Sequence, residues 1–325
     1  HGMPYHARRT TLAIMAMLVV AISCQEERAD ISRDRHATCS HADGSCEDAA
    51  HGSDLVSVVT PTRGKTQKWH ELLYKCFMHQ TYQPRELIVL DTSKKPSPFF
   101  STLNQSNVYY IHLKNNKMSL GSKRNLLASS ANGTILAHFD DDDWYSPNYL
   151  SVMVNALQRQ KVEFVKLSGW YVYSCKFKYF GYFSSEETAV FGEVKDDVHD
   201  GLKYSLFLDP RHDIIQTWVM GPSDAYDKSL RDETRFGFGF SYVYTKSLVE
   251  RFQFNRTQTF GEDLNFIHRI LQAGTHVHIF DDRKGLVLHV QGSWNSARIP
   301  TQYKIPLHLI DIVFDKTVLN YTRCK

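Results

Sequence analysis

The chain has 325 residues, of which 42% are hydrophobic and 13% aromatic, enough to bury a substantial core in one large domain or two small ones. Its 38 basic and 35 acidic residues leave a formal charge of +3 at neutral pH, and no block of lysines and arginines stands out. This balance gives no electrostatic basis for binding nucleic acid and argues against such a role.

The first residues have the pattern of a secretory signal. Arg8 and Arg9 precede an apolar run at residues 12–22, and small residues follow it. The run is shorter than the roughly 17–25 residues that span a bilayer. We therefore expect a cleaved signal peptide at residues 1–24, with a short retained anchor as the alternative and a bacterial lipoprotein signal as the third interpretation.

A signal of this kind predicts the secretory pathway, either in the ER or Golgi lumen or as a secreted protein. The chain meets a membrane only if the segment is kept as an anchor. Four sequons for N-glycosylation agree with this route: Asn104, Asn132, Asn255 and Asn320.

Residues 25–53 are polar and without periodicity, which predicts a disordered linker. From residue 54 onward, short apolar runs alternate with helical patterns. The predicted strands are 55–60, 86–90, 108–113 and 135–139, and the predicted helices are 67–79, 120–130 and one from 147 toward 160. Strands and helices that alternate at this spacing indicate βαβ units, and hence an α/β fold with a parallel sheet.

The pattern loosens after residue 161. Residues 163–175 are strand-like, whereas residues 176–232 are aromatic and poorly periodic. Regular elements then return, as strands at 239–244, 277–280 and 286–290 and helices from 246 and at 262–273. A final helix at 305–318 is expected to pack back on the body.

The acidic run Asp140-Asp141-Asp142-Asp143 is the strongest chemical signal, because it directly follows an apolar strand. Adjacent carboxylates repel one another, and a hard divalent cation such as Mg²⁺ or Mn²⁺ supplies the missing charge. Asp91 also ends a strand, so it should share one rim of the sheet with Asp140, where α/β proteins bind ligands. The alternative is a solvated turn that caps the next helix.

Other candidates have an ordinary structural interpretation beside the functional one. Lys123 and Arg124 begin a helix and either meet a diphosphate or are solvated near a cap. Glu262 and Asp263 either complement a helix dipole or supply a general base, Asp263 being the nearer choice. His289 follows a short strand and is either structural or a metal ligand.

Together these segments resemble family 2 glycosyltransferases, which have the GT-A fold. The resemblance rests on the order of Ser57-Val-Val-Thr-Pro-Thr62, the strand ending at Asp91, residues 121–125, the acidic run and Gly261-Glu-Asp263. It covers residues 54–295. It implies a single large α/β domain whose mainly parallel central sheet is flanked by helices, followed by a C-terminal tail at 296–325 that is helical and packed on the domain.

The resemblance also implies a role for each matched position. The implied roles are a nucleoside-facing loop for Thr60, Pro61 and Thr62, a nucleobase contact for Asp91, a nucleotide contact for Arg124, the Asp-x-Asp pair for Asp140 and Asp142, a late metal or phosphate contact for His289, and the general base for Asp263. Thr92 and Ser93 depart from the family pattern after Asp91, which weakens the nucleoside assignment.

The implied activity is metal-dependent transfer of a single hexosyl or hexosaminyl group, with inversion, from a UDP-sugar to a glycan, protein or lipid acceptor. Single transfer is expected because the Gln-x-x-Arg-Trp motif of processive synthases is absent. Residues 171–236 match no pattern and are where acceptor recognition is expected. The alternatives are a nucleotidyltransferase on a similar sheet and a secreted, non-catalytic module that binds Ca²⁺ or carbohydrate.

Overall fold

The computed structural model describes residues 54–64, 66–114, 117–185, 195–199, 202–209, 214–220, 235–295, 301 and 303–322. These residues belong to one compact unit, Gly52–Lys325. The signal expected at 1–24 and the linker expected at 25–53 lie outside them. Within the described part of the chain, none of the helices combines the length and apolar character that a membrane crossing requires.

Four parallel strands form one half of the main sheet, in the order β4-β1-β2-β3. They are β1 (Val56–Thr62), β2 (Arg85–Asp91), β3 (Val108–His112) and β4 (Ile135–His138). The crossovers contain α1 (His70–His79) and α2 (Leu120–Ser130). The apolar runs of β1, β2 and β4 are buried on both faces, as is typical of parallel sheets, whereas β3 at the edge is only partly buried.

The other half of the sheet is mixed. Its elements are β5 (Trp144–Tyr145), α3 (Tyr149–Arg159), β6 (Phe164–Ser174) and β7 (Tyr179–Ser184), then β11 (Val243–Thr245), α4 (Lys246–Phe252), α5 (Glu262–Gln272), β12 (Val277–Asp281), β13 (Val287–Gln291) and β14 (Tyr303–Ile305). Strand β11 runs antiparallel to both β4 and β6, whereas β12 and β13 lie parallel to successive parts of β6. The predicted parallel order therefore describes the first half of the sheet.

Between β7 and β11 the chain adds a separate antiparallel sheet. Its strands are β8 (Lys195–His199), β9 (Leu202–Asp209) and β10 (Ile214–Met220), in the order β10-β9-β8. The poor periodicity of residues 176–232 did not predict this sheet. The dipeptide Asp200-Gly201 between β8 and β9 is typical of a two-residue hairpin turn and was the available signal.

Helices cover both faces of the sheet because successive strand residues point to opposite sides. Val58 belongs to the core under α1 and α3, whereas Val59 belongs to the core under α2, α4 and α5. The chain ends in short helical turns that include α6 (Ile310–Val313) and α7 (Leu319–Thr322). They bury Phe314 and Tyr321 against the first of these cores.

Candidate functional site

The predicted rim exists at the carboxyl ends of the parallel strands. Thr62 and Asp91 end β1 and β2 side by side in the strand register. The acidic run follows β4, which pairs with β1 on its other side, and it turns so that the amide of Asp143 donates to the carbonyl of Asp140 at 3.4 Å. The topology thus brings Asp91 and the acidic run to the same edge of the sheet.

Two of the four aspartates, Asp143 and Asp141, tie the acidic run to neighbouring strands and to a helix. Asp143 is fully buried, and its carboxylate lies 2.8 Å from Nδ1 of His289 and accepts from the amide of Val290 at 2.9 Å. Asp141 accepts from the hydroxyl of Thr62 and lies 3.6 Å from Nε2 of His70. These two carboxylates therefore hold the turn to β13, β1 and α1.

The other two aspartates have a different environment. Burial and the neighbouring carboxylates raise the pKa of Asp142 well above its ordinary value. Burial and the charge of Asp143 raise the pKa of Asp140 to about 7, although Arg124 opposes the rise. Ionising both groups is therefore unfavourable until a positive charge arrives, which is the condition of a cation site.

A cation site here would rest on few protein ligands. In the described part of the chain, no three His, Cys, Asp or Glu side chains converge as a metal cage. Mg²⁺ commonly takes only one or two carboxylates and leaves its other positions to water and phosphate oxygens. The Asp140 and Asp142 pair fits that kind of site. His289 contacts Asp143 through Nδ1, so its role as a metal ligand stays a prediction that would depend on Nε2.

Asp142 is covered by residues that follow β13. Its Oδ2 accepts from Nε1 of Trp294 at 2.5 Å and from Nδ2 of Asn295 at 3.1 Å. The indole of Trp294 packs on Trp69 with ring centroids 5.7 Å apart, and Tyr321 stacks on the same Trp69 at 5.9 Å. A chain of aromatic rings therefore connects the C-terminal turns to the acidic run.

Asp91 is completely buried and its carboxylate already accepts several hydrogen bonds. Oδ1 accepts from the backbone amide and the hydroxyl of Ser93, and Oδ2 accepts from the hydroxyl of Tyr110 at 2.8 Å and from the side-chain Nε2 of Gln67 at 3.3 Å. Burial opposes ionisation, but these hydrogen bonds lower the pKa of Asp91. A carboxylate has about four acceptor positions, so a nucleobase would have to replace the long contact from Gln67.

The contacts of the predicted nucleoside loop, residues 60–62, are with other parts of the protein. Thr62 is buried, and its hydroxyl lies 2.9 Å from Nε2 of His70 and 3.1 Å from the hydroxyl of Thr66. Thr60 is fully buried in β1, and its hydroxyl has no hydrogen-bond partner among the described residues. Pro61 between them is half-buried. The nucleoside contact of this loop stays a prediction.

The two basic residues of α2 have separate environments. Lys123 is 8% exposed, and burial followed by repulsion from Arg63 lowers its pKa, while Asp91 and Asp141 oppose that effect. Its position near these rim acids keeps it a candidate for a phosphate contact. Arg124 instead forms a buried ion pair, with Nε 3.0 Å from Oε1 of Glu262 at the start of α5. Its direct contact is therefore with a protein carboxylate.

A buried histidine that no sequence pattern indicated lies beside Arg124. Nη1 of Arg124 lies 2.7 Å from Nδ1 of His138, at the end of β4. The same Nδ1 lies 2.9 Å from the carbonyl oxygen of Gly239, and Nε2 lies 2.9 Å from the hydroxyl of Tyr244. Burial and Arg124 lower the pKa of His138 well below its ordinary value, which keeps the ring neutral.

The structure distinguishes the two acids of the Gly261-Glu-Asp263 segment. Glu262 is 3% exposed and is committed to Arg124. Asp263 is half-buried at the start of α5, where Oδ2 accepts from the amide of Gly239 and Oδ1 from the amide of Leu264, both at 2.9 Å. Asp263 is the acid that remains accessible.

Comparison with known proteins identifies the family of this chain. Residues 57–252 match the model described as glycosyl transferase family 2, which is more than half of the chain. The chain belongs to this family. The prediction of a family 2 glycosyltransferase with an α/β fold of the GT-A type is confirmed.

Among solved structures, similar chains come from S. aureus TarS. TarS 1–349 in complex with UDP-GlcNAc is 15% identical with a TM-score of 0.49, covering 75% of this chain and 61% of that one. The same fragment in complex with UDP is 14% identical with a TM-score of 0.47, covering 73% and 60%. A further TarS structure is 15% identical with a TM-score of 0.47, covering 73% of this chain and 36% of that chain.

The present chain thus spans between about a third and three fifths of the length of these TarS chains. No curated protein matches its sequence.

Proposed function

We propose that the chain is a metal-dependent glycosyltransferase that moves a single hexosyl or hexosaminyl group from a UDP-sugar to a hydroxyl of a glycan, protein or lipid. One observation carries the proposal. The guanidinium of Arg124 forms a 3.0 Å ion pair with Glu262, and both Arg124 and Asp263 lie close to Gly239. Burial opposes the charge of Arg124, but the charges of Glu262, Asp140 and Asp263 raise its pKa. The candidate donor acid and the candidate base therefore lie in the electrostatic field of one buried cation.

The donor side of the site is the rim beside the acidic run. Asp142 and Asp140 are the residues that would hold Mg²⁺ or Mn²⁺, and His289 is a further candidate. Its Nδ1 contact with Asp143 is the kind of support that metal-bound histidines commonly have. When bound, such an ion neutralises the charge of a diphosphate leaving group. Lys123 supplies a second positive charge near the same rim.

The acceptor side is built on α5. Asp263 removes the proton of the acceptor hydroxyl while the oxygen of that hydroxyl attacks the anomeric carbon. The new carbon–oxygen bond forms as the bond from that carbon to the diphosphate oxygen breaks, and the nucleoside diphosphate leaves. A single displacement of this kind inverts the configuration at the anomeric carbon.

The test is sugar transfer from a panel of nucleotide sugars, with Mn²⁺ and with a chelator. We expect Asp263→Asn to lower kcat by about 10²–10⁴-fold. Asp142→Asn should weaken the dependence on Mn²⁺, and the exposed Asp311→Asn serves as the matched control. Unchanged turnover in both site variants contradicts the assigned roles. Release of pyrophosphate instead of UDP would indicate a nucleotidyltransferase, and Ca²⁺ binding without UDP binding would indicate a non-catalytic module.

We also propose that the protein works in the secretory pathway. The sequence of residues 1–24 motivates this, and Cys175 at the end of β6 is disulfide-bonded, which suits an oxidising compartment. Expression of the full chain with a C-terminal reporter, followed by glycosidase treatment, tests it. A chain that carries no N-glycan at any of its four sequons, and stays in the cytosol, contradicts the localisation.

A further inference from the structure

A turn with an unusual backbone conformation lies beside Asp263. Phe238 has φ 65° and ψ 66°, in the left-handed region that bulky side chains rarely adopt. Such outliers persist only where the surroundings hold them, and they concentrate at functional sites. The turn leads from the end of the 171–236 segment into the 3₁₀ turn at Gly239–Ser241 and then β11.

The consequence of this conformation is the direction of one amide. The N–H of Gly239, the next residue, donates to Oδ2 of Asp263 at 2.9 Å. Leu264 donates to the other oxygen, so each carboxylate oxygen has its own backbone donor. Two such donors fix the rotation of a carboxylate that would otherwise turn about its side-chain bonds.

A side chain at residue 239 would make tight contacts next to this carboxylate. A Cβ at residue 239 would lie 3.1 Å from Cβ and 3.3 Å from Oδ2 of Asp263, and 3.2 Å from Nη2 of Arg124. Any larger side chain would therefore press on the candidate base and on the buried cation beside it. Phe238 therefore sets the direction of the Gly239 amide, and Gly239 allows the close approach to Asp263.

Aromatic packing holds the turn in place. The ring of Phe238 lies 5.1 Å from Trp170 of β6 and 6.0 Å from Phe183 of β7, measured between ring centroids. Trp170 is completely buried and Phe183 nearly so. The left-handed residue is therefore anchored to rigid strands, and its conformation is imposed by the body of the domain.

We propose that the turn Phe238–Gly239 is the element that positions Asp263 for proton abstraction, with Gly239 as a positioning residue that acts through the carboxylate. The proposal rests on the function proposed above. A residue that acts through the base should affect kcat and leave binding of the donor unchanged, because the proposed base contacts the acceptor hydroxyl and not the nucleotide. Its effect should also disappear once the base itself is removed.

The experiment compares Gly239→Ala with the wild type in transfer assays, with donor binding measured by calorimetry with UDP and Mn²⁺. A displacement of about 1 Å can cost about 100-fold in rate, so we expect kcat to fall by about 100-fold at unchanged UDP affinity. The matched control is Gly274→Ala, since Gly274 also has a positive φ (79°) but lies just beyond the far end of α5. It should lower the melting temperature without lowering kcat.

A double-mutant cycle separates positioning from general damage. In an Asp263→Asn background, Gly239→Ala should change the residual rate by less than about twofold, because residues that act as a unit are not additive. An independent loss of about 100-fold in that background would overturn the proposal, as would a normal kcat in Gly239→Ala alone.

A second variant covers the case in which Gly239→Ala does not fold. Phe238→Gly accepts the left-handed conformation and removes the aromatic anchor, so it should fold and lower kcat by about 10-fold at unchanged UDP affinity. A normal kcat overturns the proposal. If the wild-type chain transfers no sugar, the proposed function is overturned. If Asp263→Asn stays fully active, the assignment of the base is overturned. Both results differ from a normal kcat in the Gly239 and Phe238 variants, which overturns only the positioning role.

Discussion

Replacing Glu262 with glutamine removes the partner charge of Arg124 and keeps the size of the side chain. The two side chains are only 4% and 5% exposed. Leaving one charge of a buried pair uncompensated costs about 3–5 kcal/mol. Because Asp140 and Asp263 also stabilise the guanidinium, we expect the lower part of that range, about 3–4 kcal/mol. At about 2–4 °C per kcal/mol for a domain of this size, the melting temperature should fall by roughly 6–16 °C.

The assay is unfolding in urea, followed by tryptophan fluorescence and circular dichroism. The matched control is Glu163→Gln, which breaks a 2.7 Å ion pair to Arg251 whose side chains are 37% and 48% exposed. An exposed pair contributes less than about 1 kcal/mol. If the two variants lose the same stability, the buried pair is not the link between α2 and α5 that the geometry indicates, and the reasoning about Arg124 is refuted.

Three further changes probe the acidic run and one close packing contact. Without a cation, stability should fall as pH rises from about 4 to about 7. The pKa of Asp140 is 3.8 in the unfolded chain and about 7 in the folded one. Its contribution to the free energy of unfolding is therefore fully present below pH 3.8 and is lost as the pH rises through about 7. Asp140→Asn should flatten this slope in urea titrations, and an unchanged slope contradicts the assignment. Trp294→Phe removes a donor from Asp142 and should tighten Mn²⁺ binding roughly 3–10-fold in calorimetry; weaker binding would show that the indole holds the carboxylate ready. Gly121→Ala places a Cβ against a backbone carbonyl and should cost about 3 kcal/mol, whereas Gly64→Ala, with a serine hydroxyl 3.6 Å away, should cost less than about 1 kcal/mol in thermal unfolding.

Local pattern was sufficient for the parallel half of the sheet. The strands ending at Thr62 and Asp91 are apolar runs bounded by turn residues, and a parallel order puts their carboxyl ends on one edge whatever the details of packing. The shared rim of Asp91 and the acidic run followed from that topology. Strand β11 has only three residues, and its antiparallel partners β4 and β6 are distant in sequence, so these pairings could not be deduced from periodicity.

Side-chain partnerships were outside the reach of pattern. Arg124 and Glu262 lie 138 positions apart, and nothing local in either segment indicates that they pair. Which aspartates of the run are engaged internally depends on β13, which brings His289 to Asp143. The saturation of Asp91 likewise depends on Tyr110 in the neighbouring strand and on Gln67. These facts belong to tertiary packing.

Tyr321 stacks on Trp69, and Trp69 packs on Trp294, so residues near the end of the chain support the indole that contacts Asp142. The recognisable family module ends at residue 252, yet Asp263 and the indole that covers Asp142 come after it. The segment that matches the family model thus carries the acidic run, while the proposed base and the residues that cover Asp142 lie in the last quarter of the chain. We therefore expect a chain shortened to residues 57–252 to lack the proposed base and the indole that contacts Asp142, although it keeps the sequence that identifies the family.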